Sequence, residues 1–117
     1  MKLWRKPEQN GVRVDRKYSL TVLAENDLKK IWNYTVDKWG EEQAFKYRDK
    51  LKHRLQWLAD NPFSGSSKDE IKAGYRRWKE GEHLIFYRIA DNNTIGIIGI
   101  PHQSMDAPQH LSIEENP

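Results

Sequence analysis

Cysteine is absent from the 117 residues. Disulfide staples, thiolate nucleophiles and Cys-based zinc sites are therefore excluded. The absence also fits a reducing compartment, so the expected location is the cytoplasm. No apolar run approaches the roughly 20 residues that a membrane-spanning helix needs. Met1 to Lys17 lacks the apolar stretch of a signal peptide, and no membrane contact is expected. A phosphate-cradling glycine loop, an HExxH motif and paired carboxylates at a catalytic spacing are all missing. His83, His102 and His110 are not spaced as a ligand set on one element, so neither a metal nor a nucleotide cofactor is expected. Apolar residues are few, at 37%, and five Trp and five Tyr compensate only in part.

Charge is plentiful. Asp, Glu, Lys and Arg make up 32% of the chain, with both signs interleaved and a net charge of +3. Interleaving suits amphipathic helices better than a disordered tail. The small excess permits nucleic acid or an acidic protein as partner without demanding either. The length allows one domain with one modest core.

Residues 1–16 carry charges, Pro7 and the turn pair Asn10-Gly11 without sustained periodicity. They read as an arm, with room for a short strand at Val12–Val14. Lys17–Thr21 reads as a strand. Ala24, Leu28, Ile31, Thr35 and Trp39, spaced by three or four, then predict a helix from Val22 to Lys38. Gly40 is placed to end it. Ala44, Tyr47, Leu51, Leu55 and Leu58 predict a second helix from Glu41 to Asp60, stopped by Asn61-Pro62. One glycine between two helices makes them antiparallel neighbours. After a loop at 63–73 the period changes to two. Strands are predicted at Gly74–Lys79, Glu82–Ala90 and Thr94–Ile100, with turns at Glu80-Gly81 and Asp91-Asn92-Asn93. The middle strand is apolar on both faces, which implies cover on one side and partial cover on the other. Pro101 ends the last strand and leaves 102–117 as a tail. The fold class expected is α+β: an N-terminal strand, an antiparallel helical hairpin and a three-stranded antiparallel meander. The domain would span 17–111, between the arm at 1–16 and a tail at 112–117.

Several linked motifs make the sequence recognisable. Tyr18-Ser19-Leu20-Thr21 stands with Ala24, Asp27-Leu28 and Ile31. Trp39-Gly40 is followed by Gln43-Ala44 and Tyr47. Leu58-Ala59-Asp60-Asn61-Pro62 stands with Gly65, and Gly74-Tyr75-Arg76-Arg77 comes next. His83 to Ile89 and Ile97 to Ile100 follow, then His102-Gln103-Ser104-Met105-Asp106. In this order and spacing, over Tyr18 to Leu111, the chain resembles the ParE branch of the RelE/ParE toxin superfamily. The resemblance implies the β-α-α-β-β-β fold and a ParD-like antitoxin whose disordered segment folds on binding. ParE-like toxins characteristically inhibit DNA gyrase and block replication, whereas RelE-like toxins cleave mRNA on the ribosome. No sequence-specific DNA binding by the toxin alone is implied.

RelE-type cleavage needs a general base, a general acid and cations near the phosphate. That branch carries alternating Arg on the first meander strand and a Tyr near the C-terminus. Here Arg76 is kept, Trp78 stands two positions on, and no tyrosine follows Met105-Asp106. If the chain were a nuclease, Arg76, His83 and His102 would be its catalytic set. The bland alternatives are a sheet hydrogen bond for His83 and a strand-end cap for His102. His53 and His110 read as solvent-facing.

Without cleavage, Arg76, Arg77, Arg88, His102 and Met105 are the expected target-binding residues, helped by a tail that Pro101 frees for contact. Alternation sends Arg76 and Arg77 to opposite faces. The competing reading pairs these arginines with Glu70, Glu80 or Glu82 for solubility. The hairpin carries more apolar surface than a small sheet can cover, so Leu28, Ile31, Trp32, Leu51, Leu55 and Trp57 are expected to meet the antitoxin. Trp57 lies off its helix's stripe, which implies an exposed patch or packing under the N-terminal arm. Three functions stay open: a non-enzymatic gyrase-directed toxin, a ribosome-dependent ribonuclease, and a module that binds a partner without being toxic.

Overall fold

A computed structural model describes residues 17–91 and 94–115. The expected arm at 1–16, its Val12–Val14 strand and the Asn92-Asn93 turn lie outside the described residues. The elements run β1 (Lys17–Leu20), α1 (Val22–Trp39), α2 (Glu41–Asp60), β2 (Ser66–Ser67), β3 (Arg76–Glu80), β4 (His83–Asp91), β5 (Thr94–Gly99) and α3 (Ala107–Glu115).

Local chemistry sets the hairpin. Thr21 caps α1: its Oγ1 accepts from the Ala24 amide at 3.0 Å and donates to Ile98 O at 2.7 Å, tying the start of the helix to β5. A cap of this kind is worth about 1 kcal/mol. Gly40, with φ of 92°, ends α1 and starts α2; a side chain would be strained there. Ala24, Leu28, Ile31 and Thr35 are buried as the spacing requires, but Trp39 is 64% exposed because it overruns the core.

The sheet order is β1-β5-β4-β3-β2, with β1 parallel to β5 and the other pairs antiparallel. The expected meander is present. β2 corrects the reading of 63–73 as loop throughout, since Ser66 and Ser67 pair with Arg77 and Arg76. Two serines show no strand pattern; long-range contacts hold them in place. Tyr87 Oη accepts from Gly65 N and donates to Pro62 O, both at 2.8 Å. Arg76 Nη2 donates to Phe63 O at 3.1 Å and Gly65 O at 2.8 Å. A Cβ on Gly65 would lie 2.5 Å from Tyr87 Oη, so only glycine fits.

Each sheet face has its own core. The hairpin covers the larger one, built on Leu28, Leu51, Leu55, Ile85, Tyr87 and Ile97. A smaller one on the outer face joins Leu23, Tyr75, Phe86, Ile98 and Leu111. This matches the two-sided apolar pattern of β4. It also corrects the expected tail: 102–117 contains α3, which crosses the boundary drawn at 111. Asp106 Oδ1 accepts from Gln109 N at 3.2 Å, Pro108 suits a first turn, and Leu111 is fully buried.

His110 is not solvent-facing either. It is buried, and its Nε2 lies 3.0 and 2.9 Å from the two carboxylate oxygens of buried Asp27. Asp27 Oδ2 also accepts from Ile100 N at 2.8 Å. One imidazole–carboxylate pair thus pins α3 to α1, so the segment is held on the domain, with Met105 still exposed within it. Among the described residues no helix is long and apolar enough to cross a membrane.

Candidate functional site

A cleft opens where the C-terminal half of α1 meets the β3–β4 turn and the segment after β5. That segment runs antiparallel to the start of β4: Leu84 N donates to Pro101 O at 2.9 Å and Gln103 N to Glu82 O at 2.8 Å. His83 and His102 become opposite residues, with rings edge-on and centroids 5.4 Å apart. Tyr34, Trp39, Gln43 and Tyr47 help to line a cavity of about 280 Å³. Lys30, Pro101, His102 and Met105 help to line one of about 390 Å³. Tyr34 and His83 belong to both, so the two form one cleft.

The Tyr47–His83 pair at the floor of the cleft is neutral. Burial, helped by neighbouring His102, lowers the His83 pKa to about 4. Burial likewise pushes Tyr47 up to about 12. Phenol and imidazole share a hydrogen bond of 2.8 Å between Tyr47 Oη and His83 Nδ1, and Tyr47 Oη also donates to Glu80 O at 3.2 Å. His83 is therefore a hydrogen-bonded strand residue.

His102 is engaged at both ring nitrogens. Its Nδ1 accepts from Ser104 N at 3.1 Å and lies 2.8 Å from Ser104 Oγ. The proton then sits on Nε2, 3.1 Å from Glu82 Oε1. The order carboxylate, imidazole, hydroxyl is that of a nucleophile relay. Here, however, Ser104 also gives its own amide to the same nitrogen across two residues, which is the bonding of a turn.

The third member of the nuclease set lies elsewhere. Arg76 pairs with Tyr87, and Glu80 with His83. Four residues of strand separate them, roughly 13 Å. Arg76 clamps the 63–65 loop and stacks on Phe63, with 5.4 Å to the ring centroid. The structure brings His83 and His102 together and leaves Arg76 apart.

The remaining candidates divide sharply. Arg77 is half-exposed and Arg88 exposed, both on the outer face. Their supposed partners are engaged otherwise: Glu70 with Lys68 at 3.6 Å, Glu80 with Arg54 at 2.7 Å and Glu82 with His102. Met105 stands exposed at the rim of the cleft. Leu28, Ile31, Leu51 and Leu55 are buried in the larger core, because the hairpin turns the middle of its apolar stripe onto the sheet. Of the four, Ile31 also lines the larger cavity of the cleft. Trp57 remains 37% exposed and packs on Trp78, 5.0 Å between centroids, with the Arg54 guanidinium over both rings. Trp32 is half-buried, edge-on to Phe45 at 4.9 Å, and Arg48 covers both.

Exposed Phe45 and Phe63 extend these patches and escaped the sequence reading. Their only signal is an aromatic residue standing off a core stripe. Trp and Arg in such clusters are the usual anchors of protein interfaces.

Known proteins share this architecture. A family model described as the ParE toxin of the type II toxin–antitoxin system parDE matches residues 18–107. Toxin ParE1 of Mycobacterium tuberculosis (strain H37Rv) is 39% identical over 95 residues, covering 81% of this chain and 97% of that protein. Toxin ParE1 of Caulobacter vibrioides is 39% identical over 94 residues, covering 80% and 96%. Toxin ParE of Escherichia coli is 31% identical over 97 residues, covering 81% and 92%. A solved structure described as the chromosomal ParDE TA system from P. aeruginosa superposes with a TM-score of 0.61 at 20% identity, covering 76% of this chain and 95% of that one.

Proposed function

The chain belongs to the ParE toxin family of type II toxin–antitoxin systems, and from that premise we propose that it arrests bacterial growth by binding DNA gyrase and blocking replication. The observation that carries a binding mechanism is the dispersal of proton-transfer chemistry. Arg76 is tied to two backbone carbonyls, His83 is buried and neutral, and both nitrogens of His102 are engaged. Transfer of a 2′-hydroxyl proton needs a base and a cation converging on one phosphate, and these residues do not converge.

In this reading the target meets Arg77, Arg88 and Met105, and His102 contributes by shaping the rim on which Met105 stands. A ParD-like antitoxin neutralises the toxin at the aromatic–arginine patches on the hairpin side, around Trp32–Phe45–Arg48 and Trp57–Arg54–Trp78. Trp32 and Trp57 carry that role in place of the four buried leucine and isoleucine positions. Binding there would stabilise the folded toxin by mass action.

The test is purified chain in a gyrase supercoiling assay, beside primer extension on ribosome-bound mRNA. Inhibited supercoiling with intact message is the expected result. Clean cleavage of message, abolished by His102→Ala, would move the protein to the nuclease branch. Activity in neither assay, with normal growth on induction, would leave only a partner-binding module.

A further inference from the structure

Register places four cations on one face of the sheet. Arg77 lies opposite Phe86, Lys79 opposite Leu84, Arg88 opposite Gly96, and Lys17 opposite Thr94. Directly opposed residues share a face, and this face is the one turned away from the hairpin. Lys17, Lys79 and Arg88 are exposed and Arg77 is half-exposed. None of the four takes part in an ion pair among the described residues. Unpaired cations repel one another unless an anion comes between them. Lys17 on β1 and Arg77 on β3 are three strand spacings of about 4.8 Å apart across the sheet, and the register from Thr94 to Gly99 adds five residues of about 3.3 Å along it, so the two lie roughly 22 Å apart.

The surroundings of these cations narrow the partner. Register also places a carboxylate here, exposed Asp91 opposite Thr94 and so near Lys17, while Ser19, Thr94 and Gly96 fill the rest of the space near Lys17 and Arg88. The strip between the two pairs of cations, at Phe86 and Ile98, is already closed by Leu111 and Tyr75. The large exposed apolar residues, Trp39, Phe45, Trp57 and Phe63 among them, all lie outside β1, β3, β4 and β5. Single-stranded nucleic acid needs aromatic rings on which bases stack, and among the described residues these strands expose none. Lysine, arginine and hydroxyl groups on a rigid face suit phosphate contacts, which position without reading sequence. One strand of a duplex carries a phosphate for about every 3.4 Å of helix axis, so roughly 22 Å of axis spans about six.

We propose that this outer face binds the sugar–phosphate backbone of double-stranded DNA without sequence preference. The inference goes beyond gyrase binding and stands on the surface alone, so a chain inactive toward gyrase would still show it.

Fluorescence anisotropy of the full chain with two 20-base-pair duplexes of unrelated sequence, and with a single-stranded 20-mer RNA, tests it between 50 and 200 mM salt. Residues 1–16 hold five further cations, Lys2, Arg5, Lys6, Arg13 and Arg16, so the change in salt dependence on mutation is what assigns the surface. Each phosphate contact contributes about 0.9 to the slope of log K against log salt. The double variant Arg77→Gln, Arg88→Gln should lower that slope by about two, and Lys17→Gln by about one. Both duplexes should bind alike and more tightly than the RNA. A slope unchanged in both variants overturns the proposal, as does preference for one duplex, tighter RNA binding, or no binding at 50 mM salt.

Discussion

Arg76 and Arg77 are neighbours in the chain and opposites in the fold. Arg76 points to the hairpin side, where cations serve the structure: it bonds two carbonyls and covers Phe63, while Arg54 covers Trp57 and Trp78 and pairs with Glu80. Arg77 points to the outer side, where Lys17, Lys79 and Arg88 also stand without ion-pair partners among the described residues. One face is a covered core whose strand arginine, Arg76, is held by backbone carbonyls and an aromatic ring. The other is a small core under α3 flanked by charges left for something else. Residue type is therefore no guide to role in this sheet; the face decides.

The two cores give the largest test of this contrast. Leu55→Ala, in the larger core, should cost about 4 kcal/mol, near the top of the range for such truncations. Leu111→Ala, in the nine-residue α3, should cost about 2 to 3 kcal/mol, because a short helix can shift to refill the space. Urea denaturation measures both. Equal costs would mean that the outer core is as tightly held as the inner one.

Next in size, Arg76→Ala should lose about 2 kcal/mol, since hydrogen bonds from a charged donor contribute about 1.5 to 3. The 63–65 segment should then show faster amide exchange. A stability unchanged by this substitution would remove the clamp and return Arg76 to the candidates for target contact.

A pH effect comes next, reduced by solvent at the mouth of the cleft. His83 binds its proton less readily folded, at about 4, than unfolded, at 6.5. The unfolded chain takes up more protons between those values, so stability is full above about 6.5 and is lost as pH falls to about 4. Thermal melts across that window should fall more steeply for the natural chain than for His83→Gln. Parallel curves would show that His83 is not held neutral by its burial.

Smallest of all, Arg77→Ala should change stability by less than about 0.5 kcal/mol, measured beside Arg76→Ala in the same denaturant. A larger loss would give Arg77 a structural role and blur the difference between the faces.

What could be read from the chain alone was whatever repeats locally. The spacing of Ala24, Leu28 and Ile31, the single Gly40 between two stripes, Asn61-Pro62 and the alternation of β4 are short-range signals. They determined the hairpin, the central strands and the two-sided burial of β4, and the linked motifs pointed to the family. Other features had no local signature. β2 exists because Tyr87 and Arg76 reach back to residues 62–65. α3 has one fully buried leucine and no regular stripe, and it is held by His110 on Asp27, 83 residues away in the chain. The same holds for the site: the sequence named His83, His102, Arg76, Arg77 and Arg88, but only the tertiary structure separated them into a histidine-floored cleft, a clamp and a cationic face. Periodicity reports which side of an element meets some core. Which charge finds a partner depends on groups that the folded chain brings within about 3 to 4 Å from distant positions.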